Sequence, residues 1–222
     1  MLDQILGRRG FNSLGERQAF LQPKLAHLSP PEEIPGMAAA VEVLRRHLRE
    51  KSPTLIYSDY DVDGITSASV LRLFLDSLGA GPIRHFMPDR KKEGYGLTAK
   101  ALERALEAGS QPRLLIVLDC GTNSRGEVET AKSAGMDVLI VDHHQVGETA
   151  RSDALVNPQL GSTHHHLRTA GLVFKLCHAY LKAEGAREQF DLRTVLDLVA
   201  LATVADLVPL EVRTDYCCKS SG

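Results

Sequence analysis

Seven residues, Ser58-Asp59-Tyr60-Asp61-Val62-Asp63-Gly64, set three carboxylates at alternate positions directly after an apolar run, Thr54-Leu55-Ile56-Tyr57. Residues two apart in a strand point to one face, so Asp59, Asp61 and Asp63 would share a face if the extended geometry persists. Two like charges about 4 Å apart repel by roughly 4 kcal/mol at an effective dielectric of about 20. Three together need a cation, protons or full solvation. An acidic surface loop satisfies the last condition, so the triplet alone leaves both readings open. Two further predicted strands end in the same way. Leu115-Ile116-Val117-Leu118 leads to Asp119, and Leu139-Ile140-Val141 leads to Asp142-His143-His144. Ligands of open α/β sheets bind outside the carboxyl ends of the strands. Three strand ends bearing Asp, one with a His pair, therefore favour metal binding over a surface loop. Carboxylates with one or two imidazoles and no thiolate suit Mn2+ or Mg2+ more than a structural zinc. Asp206 ends the apolar segment Ala202-Thr203-Val204-Ala205 and is a further contributor. If buried there, it needs a partner or a metal.

The elements that must position these groups alternate along the chain. Apolar spacing predicts a helix over 37–49, stopped by Pro53, then a strand ending at Tyr57 and a helix over 65–78. Short strands follow at 83–87, 114–118 and 138–141, separated by helices over 98–108 and 127–134. Fully apolar strands alternating with helices indicate an α/β fold, a parallel sheet covered by helices on both faces. The metal site then lies at the carboxyl ends of the strands. Residues 144–166 read as a crossing loop with a His-rich bend. Helices over 171–182 and 194–206 come next, the second apolar nearly all round and so expected to be buried. The segment 1–36, broken by Ser29-Pro30-Pro31 and Pro35-Gly36, reads as a polar lead-in.

Composition bounds the function. The formal charge of −2 over 222 residues argues against coating a polyanion by bulk charge. Nucleic-acid contact would need a local basic groove. The first twenty residues hold no apolar core of signal-peptide length, and no run approaches a membrane-spanning helix. Cys120, Cys177, Cys217 and Cys218 form no CxxC pair, so a reducing, cytoplasmic setting is expected.

The motifs DYDVDG, LDCGT, VDHHQ and ATVADLVPL, in this order, resemble the four motifs of the DHH phosphoesterase family. Their surroundings, Leu21-Gln22-Pro23-Lys24-Leu25, Glu93-Gly94-Tyr95-Gly96-Leu97 and Ala170-Gly171-Leu172-Val173-Phe174-Lys175-Leu176, resemble its RecJ branch of single-strand-specific DNA exonucleases. The resemblance spans about residues 16 to 210. It implies a DHH domain over 37–210 that hydrolyses phosphodiesters of single-stranded DNA from the 5′ end, in recombination and repair, with two Mn2+ or Mg2+ ions. Residue by residue, it implies that Asp61 and Asp63 hold the metals and that Asp59 is the first acid of the same motif. Asp119 corresponds to the carboxylate bridging the ions, His143 to a metal ligand, and Asp206 to the last ligand. His144 corresponds to the histidine that contacts the scissile phosphate, so His144 and Asp119 are the catalytic candidates. Asp142 is expected to orient a histidine. A phosphodiesterase of short oligonucleotides or small phosphate compounds is the alternative within the family. An inactive module that binds metal or nucleic acid is the alternative outside it.

Other residues complete the expectations. In Pro88-Asp89-Arg90-Lys91-Lys92-Glu93-Gly94-Tyr95-Gly96, Arg90 and Tyr95 are candidates for substrate binding, the ring by stacking on a base. Arg168 and Lys175 are candidates for reaching phosphate, Lys175 equally for a snorkelling helix residue. His164-His165-His166 is expected to be an exposed bend, His85 and His178 to be structural, and Cys120 to be a small buried hydrophobe. Residues 211–222 depart from the family pattern, and the second, substrate-binding domain of family enzymes, which carries a glycine-rich motif, is expected to be absent.

Overall fold

The computed structural model describes residues 1–22, 28–162 and 164–208. Five parallel strands, β1 (Thr54–Ser58), β2 (Ile83–Phe86), β3 (Leu114–Leu118), β4 (Asp137–Val141) and β5 (Ala154–Val156), form one sheet in the order β2-β1-β3-β4-β5. Alternate strand residues divide between two cores. Ile56, Ile116 and Leu139 pack on one face with Leu71, Phe74 and Phe174, whereas Leu55, Tyr57 and Val117 pack on the other with Leu102 and Val128. The first core is built by helices α3 (Met37–Arg49), α4 (Val62–Ser77), α8 (Thr169–Ala183) and α9 (Leu196–Ala205). The second is built by α6 (Ala99–Glu107) and α7 (Arg125–Ser133). Each fully buried Leu, Ile, Val or Phe contributes roughly 1.5–3 kcal/mol, and the interior positions of the central strands are apolar throughout, Leu55–Tyr57 in β1, Leu115–Val117 in β3 and Val138–Ile140 in β4. The α/β sheet with helices on both faces is the architecture expected from the alternation.

The remaining helices are short. α1 (Leu2–Arg8) and α2 (Leu14–Leu21) lie in the lead-in, and α5 (Arg90–Glu93) is a single turn in the basic loop. The lead-in is tied to the domain by Ile34, which is buried in the first core.

Four expectations need correction. First, the carboxylates at 59, 61 and 63 do not share a strand face. Asp61 is the N-cap of α4 and accepts from the Gly64 amide at 2.9 Å, so the helix starts at Val62 and turns Asp63 inward. Secondly, the stretch 144–166 contains β5, three residues paired with Leu139–Val141 and too short to show a period. Thirdly, α9 is buried on one side only. Leu196, Val199 and Ala202 face the core, while Leu201 and Val204 are more than half exposed. Fourthly, His164–His166 is not a uniformly exposed bend, because His164 is largely buried and bonds Glu33 at 2.8 Å. Pro23, Lys24 and Leu25, and the tail with Cys217 and Cys218, lie outside the described residues.

Candidate metal centre at the strand ends

The parallel register sets the polar strand ends in a row. Ser58 is level with Leu118, Leu118 with Val141, and the ladder runs one rung further. Asp59 donates its amide to Leu118, Asp119 to Val141, and Asp142 to Val156. Asp59, Asp119, Asp142 and Asn157 therefore follow four neighbouring strands at one level. The chain leaves β1 for β2 on one side and returns to β3 on the other. Asp59 and Asp119 thus flank the switch point where ligands of doubly wound sheets bind.

Asp59 is fully buried, and neither of its carboxylate oxygens has a hydrogen-bond partner. Burial, followed by the nearby Asp61 charge, raises its pKa. Gly64 makes this packing possible, because a Cβ there would stand 2.4 Å from the Asp59 carbonyl oxygen. Asp119 is 1% exposed and has a left-handed backbone, φ 63°. Its Oδ1 accepts from the Thr169 hydroxyl at 2.9 Å, and its Oδ2 has no partner. Burial and the charges of Asp63 and Asp61 push its carboxyl far above the usual carboxylate range. Asp63 accepts from the Thr169 and Ala170 amides at 2.7 and 2.9 Å, at the N-terminus of α8. Burial nevertheless raises its pKa.

The histidines close the site. His143 Nε2 lies 3.3 Å from Asp119, 3.7 Å from Asp63 and 3.9 Å from Asp206. Burial and neighbouring His144 and Arg168 lower its pKa to about 4, so it is a neutral donor atom at neutral pH. His144 is held from both sides: Nδ1 bonds Asp142 at 2.7 Å, and Nε2 bonds the Tyr95 hydroxyl at 2.7 Å. The Asp142 carboxylate raises the His144 pKa. Asp142 also accepts from the amides of Thr122, His143 and His144. Burial works against its charge, but the His144 and Thr122 bonds hold it at about 2. It therefore orients a histidine and is itself consumed.

Two sets of side chains can converge on one cation. One donor atom each from Asp119, His143 and His144 lies within 4.8 Å of the others, and the same holds for Asp59, Asp61 and Asp119. Asp119 belongs to both sets. Asp63 and Asp206 stand outside them. Asp206 instead pairs with Arg168, the N-cap of α8, so that guanidinium is occupied by a carboxylate. Lys175 does not snorkel toward the surface; it is buried and donates to the Ser29 carbonyl. Arg90 stacks over the Tyr60 ring at 5.5 Å, and Tyr60 meets Tyr95 edge-on at 6.4 Å, which places the basic loop beside the carboxylates. His85 bonds Ser58 at 2.7 Å at the end of β1.

The donor set fits a divalent cation. A buried carboxylate without hydrogen bonds costs free energy unless it is protonated or bound to an ion, and Asp59 and Asp119 leave three such oxygens beside two imidazoles. Sequence reasoning missed Thr169, which holds Asp119, and Asn157. Asn157 is fully buried and donates to the Thr122 hydroxyl and the His144 carbonyl, both at 3.0 Å. Asn157-Pro158 looks like an ordinary turn in sequence, and only the register brings it level with Asp142.

Comparison with known proteins places the chain among relatives. The model of the DHH family, N-terminal domain, matches residues 53–203. The single-stranded-DNA-specific exonuclease RecJ of Bacillus subtilis (strain 168) is 38% identical over 214 residues, covering 95% of this chain and 26% of that protein. RecJ of Escherichia coli (strain K12) is 35% identical over 223 residues, covering 95% and 38%. The crystal structure of an exonuclease RecJ bound to manganese superposes with a TM-score of 0.75 at 30% identity, over 85% of this chain and 47% of that one. RecJ from Thermus thermophilus in complex with Mn2+ gives 0.76 at 27% identity, over 97% and 30%. The chain thus spans between about a quarter and two fifths of the length of these curated relatives.

Proposed function

The chain belongs to the DHH family, and from that premise we propose that it hydrolyses phosphodiester bonds of single-stranded DNA in a divalent-metal centre, removing nucleotides from the 5′ end as RecJ exonucleases do in recombination and repair. The observation that carries the reading is the set of buried carboxylate oxygens without partners on Asp59 and Asp119, next to His143 and His144. Asp59, Asp61, Asp63, Asp119, His143 and Asp206 would hold Mn2+ or Mg2+, Asp63 and Asp206 from their places 3.7 and 3.9 Å from His143 Nε2. Such ions supply Lewis-acid stabilisation of the phosphoryl oxygens and an activated water. The catalytic unit is residues 37–210.

The chain's own residues do the rest. Asp142 fixes the His144 ring through Nδ1, which leaves Nε2 as the donor toward a phosphate oxygen. Tyr95 holds that nitrogen at 2.7 Å and must yield or share it when a phosphate arrives. Its ring and Arg90 offer a stacking face and a cation to the strand. Arg168 keeps Asp206 paired until a stronger cation competes for that carboxylate.

The test is turnover with Mn2+ on a 5′-labelled single strand. Release of labelled mononucleotides, abolished by chelation, is the expected result, and binding without hydrolysis would overturn the reading. The second reading, a phosphodiesterase of short oligonucleotides, is favoured by the few cations around the site. A faster rate on a dinucleotide than on a long strand would establish it.

A further inference from the structure

A cavity of about 420 Å³ opens beside the metal centre and shares the His144 ring with it. It is lined by Tyr95 and Gly96 from the loop after α5, by Gly121, Thr122 and Asn123 from the turn after β3, and by Gln145 beyond His144. Its chemistry differs from that of the centre. Among the described residues no lysine or arginine lines it, and its one carboxylate, Asp142, is committed to His144 and three backbone amides. A second phosphate would find no cation there besides His144. A flat heterocycle with a sugar would find the Tyr95 ring, a glycine at Gly96 with φ 78° and only Cys120 near its missing Cβ, and the neutral amide of Gln145, while Asn123 braces the wall by bonding the Gln145 carbonyl and the Gly147 amide. The volume lies within the range of pockets that enclose small organic ligands. The cations of the region, Arg90 and Arg168, lie outside this cavity.

We propose that this cavity receives the nucleoside joined to the phosphate that sits at His144, so that sugar and base extend away from the carboxylates. The assignment rests on the phosphoester reading above and adds the subsite that distinguishes a nucleotide from other phosphate esters. The experiment is amide and imidazole shift mapping of the isotope-labelled chain in Mg2+, titrated with thymidine 5′-monophosphate and, separately, with inorganic phosphate. Both ligands are expected to shift His144. Only the nucleotide should shift the amides of Gly96, Gly121, Thr122 and Asn123, and it should bind about tenfold more tightly than phosphate. A nucleotide that shifts His144 but leaves those amides unmoved overturns the subsite alone. Inorganic phosphate shifting the same amides equally makes the cavity an anion site and also overturns it. Silence at His144 with both ligands sinks the phosphoester reading, and the subsite with it.

Discussion

Asp119 combines a strained left-handed backbone with near-complete burial and an oxygen without a partner, and the last two are costly without a cation or a proton. Its folded pKa is raised, so its contribution to stability is present below the unfolded value and is lost as pH rises through the folded one. In chelator, Asp119→Asn should therefore be more stable than the parent at pH 8, by about 1–3 kcal/mol. The gap should shrink toward pH 4, and the order should reverse in excess Mn2+. Thermal melts at both pH values check this; a parent that is more stable than the variant at pH 8 in chelator would refute it. Asp142 behaves oppositely. Its pKa is depressed, so its stabilisation is full above the ordinary carboxylate range and is lost as pH falls toward about 2. Since its carboxylate raises the His144 pKa, Asp142→Asn should lower the His144 titration midpoint, read by imidazole shifts; a midpoint unchanged from the parent would refute the coupling. At this scale the strand-end Asp and His were legible in sequence because polar residues stand out after apolar runs. The inward turn of Asp63 was not legible, since it depends on Asp61 capping α4 three residues earlier than the apolar pattern implies.

At the scale of elements, the site is made by register and by two helix starts. Parallel pairing levels Asp59, Asp119, Asp142 and Asn157, and α8 presents Thr169 and Ala170 to Asp63 and Asp119. The first turn of α4 lies directly on the Asp59 backbone through Gly64. Gly64→Ala should cost about 1–3 kcal/mol by overpacking and weaken Mn2+ binding by moving Asp59; a melt and a metal titration within error of the parent would show that the contact relaxes freely. The alternation of strands and helices was readable because each central strand is a short apolar run between turn residues. β5 was not, because three residues define no period and their place depends on pairing with β4. The exposed side of α9 escaped notice for a related reason: an apolar sequence gives a helix but not which of its faces a neighbour covers.

For the whole molecule, the formal charge of −2 leaves strand binding to local cations. If Arg90, Lys91 and Lys92 make the phosphate contacts, the logarithm of affinity for a single strand should fall with the logarithm of salt at a slope of about −2. A much steeper slope would place the strand elsewhere. Among the described residues no helix is long and apolar enough to cross a membrane. The chain spans between about a quarter and two fifths of its curated relatives, and any catalysis by it requires first that its strand ends bind metal. That is measured most directly by titrating Mn2+ into the chain and into Asp119→Ala, following free Mn2+ by electron paramagnetic resonance. The account predicts that the parent takes up the ion and that the variant loses at least about 100-fold in affinity. Undiminished Mn2+ uptake by a folded Asp119→Ala variant would contradict it.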